Sequence, residues 1–170
     1  MILRFFTRSL VPILIISLLG CQNNPKVIER DGEPDISRVA DDDEQMNRAI
    51  KLAKQTVGEF DHALLSQDTA LKFLAMKMRF ETPEGGGEHI WLNQITKRDK
   101  KYYGVIANVP ALTTQVKLGD SVEIPKDKIS DWMYVQNGKL KGGYTIRALR
   151  DQLSASEQKA FDAENGFDVE

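Results

Sequence analysis

An α+β fold is what the sequence predicts: an N-terminal amphipathic helix packed on a small, mainly antiparallel sheet or partly open barrel of about five to six strands, followed by short C-terminal helices. Three observations carry this. Apolar residues recur at steps of three and four from Met46 to Leu64, and they alternate with charged residues from Leu74 to Glu81. The dipeptide Asn137-Gly138, a strong hairpin signal, lies between two further strand-like stretches.

The elements follow in order along the 170 residues. Residues 1–20 carry Arg4 and Arg8, then the apolar run LVPILIISLL, and end in LLG before Cys21. About 20 apolar residues are needed to span a bilayer, so this shorter run reads as the central part of a secretory signal peptide. Leu18 to Cys21 resembles the bacterial lipoprotein processing box, in which cleavage precedes a cysteine that is then lipidated. That resemblance makes Cys21 the lipidation site, with palmitate-type chains as the anchor; the alternative is an uncleaved anchor or an ordinary signal peptide followed by an incidental Cys. Each buried methylene contributes about 0.8 kcal/mol, and two or more chains hold stably. Gln22, Asn23 and Asn24 follow Cys21 in place of the Asp that resembles an inner-membrane retention signal. The expected location is therefore the outer membrane, facing the periplasm.

Residues 21–43 contain two prolines, one glycine and many charges, with few apolar residues. They read as the lipidated Cys21 and a flexible tether, and residues 44–170 as a single domain. Met46, Ile50, Ala53, Val57, Phe60 and Leu64 form one helical stripe, with Asp42 and Gln45 placed as a capping box. From Lys72 to Thr82 the period becomes two: Leu74, Met76, Met78 and Phe80 point one way, Lys77, Arg79 and Glu81 the other. Pro83 to Gly87 is the loop to the next strand, in which His89, Trp91, Asn93 and Ile95 share one side. A phosphate-cradling glycine loop would run into a helix, and this one does not. Tyr102–Asn108, Ser121–Pro125, Ile129–Val135 and the LKGGY stretch supply the other strands. Thr145–Leu153 is a short helix, and Ser154 with Glu157 caps the last one.

Composition narrows the function. Basic side chains number 23 and acidic ones 25, and loss of a leader carrying Arg4 and Arg8 makes the remainder more acidic, which speaks against nucleic acid as a partner. Cys21 is the single cysteine, so its lipidation excludes disulfides, thiolate metal sites and a cysteine nucleophile in the mature chain. No metal site and no cofactor are expected.

The chain resembles the YegJ-like domain-of-unknown-function family of bacterial proteins. The likeness runs from about Phe73 to Thr145. It is carried by Phe73 and Phe80, Glu88-His89-Ile90-Trp91, Gly104, Pro110, Gly119, Asp131-Trp132 and Gly142-Gly143-Tyr144. The family has no assigned activity, so the resemblance locates the domain without implying a reaction.

Three functions fit these residues. The first is a non-enzymatic binding or inhibitor module at the membrane, meeting an envelope protein through Trp91, Trp132 and Tyr134, since Trp and Tyr dominate interface hot spots. The second is a hydrolase-like enzyme with His89 as general base, oriented by Asp131, or by Glu88, which points to the opposite face of the strand. The third is a structural envelope lipoprotein. Neither a G-x-S-x-G elbow nor an H-E-x-x-H zinc motif is present, which favours the first.

Overall fold

The computed structural model describes residues 26–30, 33–38, 43–66 and 68–169. The leader and Cys21 lie outside the described residues. Within the stretch read as a flexible tether, β1 (Lys26–Arg30) and β2 (Glu33–Arg38) pair antiparallel. The signal passed over in the sequence is Asp31-Gly32 between them, a dipeptide favoured in hairpin connections.

Helix α1 (Glu44–Leu65) starts at Asp43, whose carboxylate accepts from the Met46 amide at 2.8 Å. The cap is therefore one residue later than the capping box expected at Asp42, and the stripe it serves is the expected one. Met46, Ala49, Ala53, Phe60 and Ala63 are buried, with Ile50, Val57 and Leu64 at the margins.

The sheet comprises β3 (Leu71–Glu81), β4 (Gly87–Arg98), β5 (Lys101–Ile106), β6 (Ser121–Ile124), β7 (Ile129–Gln136) and β8 (Lys139–Gly142). Their order is β6-β5-β4-β3-β7-β8, and every neighbour is antiparallel. Two-residue turns explain the hairpins: Asn137 and Gly138, like Asp99 and Lys100, take the positive φ that such turns require. The 83–87 stretch is a turn between β3 and β4 as expected, closed by the Gly85 amide on the Thr82 carbonyl at 3.0 Å.

One sheet face packs on α1 through Met76, Met78, Phe80, Ile90, Leu92, Ile106, Ile124 and Trp132. Ile95 joins this core, although strict alternation puts it on the other face with His89 and Trp91. Gln94, at φ 50°, coincides with a register shift that flips the strand by one residue. Gly104 makes room for the redirected chain, because a Cβ there would stand 2.7 Å from Ile95 Cδ1. Helix α2 (Tyr144–Arg150) follows β8, and α3 (Ala155–Asn165) begins with the expected Ser154–Glu157 capping box. Asp162 clamps α3 to α2, accepting from Arg150 Nε at 2.7 Å and Nη2 at 2.6 Å.

Candidate recognition surface

Adjacent residues on β4 point to opposite faces, so Glu88 and His89 part at once. Glu88 turns inward and is buried; its carboxylate accepts from the amides of Ala111, Leu112 and Thr113 at 2.8, 2.9 and 2.8 Å. Thr113 Oγ1 donates to the Glu81 carbonyl at 2.7 Å and ties down the same loop. Glu88 thus clamps the connection between β5 and β6, with both carboxylate oxygens engaged by backbone amides. This corrects its candidacy as a catalytic acid.

Asp131 is fully buried. Its Oδ1 accepts from the amides of Trp132 at 2.8 Å and Tyr144 at 3.1 Å; its Oδ2 accepts from the Thr145 amide at 2.8 Å and the Thr145 hydroxyl at 2.6 Å. Lys77, opposite Asp131 in the β3–β7 register, donates to Thr145 Oγ1 at 3.3 Å. Burial pushes the Asp131 carboxyl up, against the Thr145 hydrogen bonds, the Lys77 charge and the Trp132 amide. Burial likewise pushes the Lys77 ammonium down, opposed by the Asp131 charge. Asp131 therefore fastens the start of α2 to the sheet.

His89 is half-buried on β4, opposite Arg79 on β3. Since Asp131 stands beyond β3, on β7, and two residues along the register, strand geometry puts their Cα atoms about 12 Å apart. Two side chains so placed do not make the carboxylate–imidazole contact that a general base requires. The pairing of His89 with Asp131 expected for an enzyme is corrected on this ground.

What the register does bring together is a mixed surface on the sheet face away from α1. Lys77, Arg79, His89, Trp91 and Tyr103 share that face and are half-buried. Lys77 Nζ lies 5.2 Å from the Trp91 ring centroid and the Arg98 guanidinium 4.7 Å from that of Tyr103. Stacked cations and rings of this kind give area, polarity and little rotamer freedom, as recognition surfaces do.

Trp132 and Tyr134, grouped with Trp91 by the sequence, point to the α1 side instead. Trp132 is fully buried and donates through Nε1 to the Ala53 carbonyl at 3.0 Å. It cannot meet a partner, which corrects its candidacy. Tyr134 is half-buried and stacks on Trp132 with centroids 6.0 Å apart, and burial together with the Glu59 charge raises its phenol pKa.

One polar cluster escaped sequence reasoning. Asp61 on α1 accepts from Tyr102 Oη at 2.6 Å and Lys97 Nζ at 2.7 Å. Burial pushes Asp61 up, but those hydrogen bonds and the charges of Lys97 and Lys126 outweigh it and hold the carboxyl below its usual range. The three residues are far apart in sequence and fit no motif, so only tertiary structure joins them. Among the described residues, no group of three or more His, Cys, Asp or Glu side chains is placed to hold a metal ion.

One long helix, a six-stranded antiparallel sheet and two short C-terminal helices make this an α+β domain. Residues 43–169 match the family described as "Uncharacterized protein conserved in bacteria (DUF2314)", and the chain belongs to it. Among its relatives is the YegJ protein of Escherichia coli K12, 37% identical over 108 residues, which are 64% of this chain and 69% of that protein. Another is a Neisseria meningitidis serogroup B protein provisionally named as an ankyrin repeat protein, 38% identical over 144 residues. That match takes in 81% of this chain and spans 57% of the relative's length. No solved structure matches the chain.

Proposed function

We propose that the chain is a lipid-anchored envelope protein, held through Cys21 at the periplasmic side of the outer membrane, whose domain is a non-enzymatic binding module for an envelope protein. The surface doing the binding is the half-open sheet face bearing Lys77, Arg79, His89, Trp91 and Tyr103. The observation that carries this reading is Trp91, a large ring on the face opposite the helix, with the Lys77 ammonium over it. The anchor rests on the leader and the LLGC box. The separation of His89 from Asp131, and the engagement of Glu88 and Asp131 with backbone, favour binding over catalysis.

The test is capture of the full-length tagged protein from detergent-solubilised membranes, compared with Trp91→Ala. A stoichiometric partner retained by the wild type and lost by a folded Trp91→Ala chain supports the reading. Equal retention by both, or a hydrolytic activity lost in His89→Gln with unchanged capture, contradicts it.

A further inference from the structure

β3 and β4 separate before either strand ends. Their pairing runs from Glu81–Gly87 to Met76–Leu92 and stops; the same register continued would join Ala75 to Asn93, Lys72 to Thr96 and Leu71 to Lys97. Beyond that point each strand keeps only the neighbour on its other edge, Leu71 and Lys72 pairing with β7 and Thr96, Lys97 and Arg98 with β5. A non-glycine residue in the left-handed region marks the departure on each side, Phe73 at φ 55° and Gln94 at φ 50°, each within a register shift. Asp61 fastens one side to α1, binding Lys97 and Tyr102 near the end of the β4–β5 hairpin.

Phe73 gains little burial in return for this conformation. A left-handed backbone costs a residue with a Cβ about 1–2 kcal/mol, yet 63% of Phe73 is exposed. Glycine or asparagine would take the same φ more readily. Strain kept at an exposed aromatic, where a sheet opens, points to function.

We infer that the opening between β3 and β4 is a slot for an extended peptide segment of the partner, which adds as a strand along Leu71–Ala75 and seats an apolar side chain on Phe73. Strand edges present N–H and C=O groups that an extended backbone satisfies in turn. Exposed Lys72, Arg98 and Lys100 outnumber Asp68 and Asp99 around the slot, so the apolar residue is flanked by acidic ones. The terminal strand β6 is a poorer acceptor, being four residues long and followed by Pro125. This inference rests on the binding-module reading and names the form its partner takes.

The probe is acetyl-Glu-Val-Glu-Val-Glu-Val-amide, with the same peptide N-methylated at alternate residues as control. With the full chain in detergent, the first should slow amide hydrogen exchange at 72–75 by about tenfold or more, and the control should not. Phe73→Gly should keep or raise the melting temperature and lose that protection. Four results overturn the slot: protection at 121–124 without protection at 72–75, equal protection by the control, no protection at millimolar peptide, or a Phe73→Gly chain that melts lower. Protection present without peptide and lost on dilution would also overturn it, by making a second copy the occupant. If the peptide fails while Trp91-dependent capture holds, the binding module stands and the slot falls.

Discussion

Glu88 shows how a charged residue beside a histidine is read one way in sequence and another in space. Its carboxylate satisfies three amides of a loop that is otherwise irregular, and removing a buried acceptor leaves its donors unpaired. Glu88→Ala should therefore lower unfolding stability by about 3 kcal/mol in urea denaturation, with Glu88→Gln milder because one oxygen remains. Asp61 gives the pH dependence. Its folded pKa lies below the ordinary 3.8, so its contribution is complete above that value and is lost as pH falls through the lower folded pKa. The stability gap between wild type and Asp61→Asn should be constant near neutral pH and close in acid below about pH 4, read by thermal melts across pH. That Trp91 shares a face with His89 was legible because alternation along β4 sets it; the role of Glu88 was not, because its partners are backbone amides more than twenty residues away.

At the scale of elements, hairpins and helices were legible because each is specified locally. The stripe from Met46 to Leu64, the alternation from Leu74 to Glu81 and the Asn137-Gly138 turn each act over a few residues. The register shift at Gln94 and the early end of the β3–β4 pairing were not, since they depend on neighbouring strands, whereas the β1–β2 ribbon carries a local signal in Asp31-Gly32. The same logic applies to the glycine turn. Inserting two glycines between Gly85 and Gly86 should lower stability by less than about 1 kcal/mol, because loop closure entropy grows slowly with length. Gly87 is different: a Cβ there would collide with the Arg79 guanidinium. A melting temperature that collapses on the insertion would show that the turn is packed rather than a simple connection.

For the molecule as a whole, the proposal gives the anchor and the domain separate tasks. The domain supplies a core between α1 and one sheet face, and leaves the other face with cations stacked on rings. On the proposed reading, a lipid on Cys21 would hold that surface close to a membrane and so raise the effective concentration of a partner there. Cys21→Ala should abolish incorporation of labelled fatty acid and leave the precursor at full size on a gel; labelling and mature size retained in the variant would refute the lipoprotein reading. The binding claim is tested most directly by site-specific photo-crosslinking in cells. A photoreactive phenylalanine analogue in place of Trp91 should give one dominant protein adduct, and the same analogue in place of Leu52, exposed on the outer side of α1, should not. No adduct from position 91, or the same adduct from both positions, would contradict the assignment of the half-open sheet face as the binding surface.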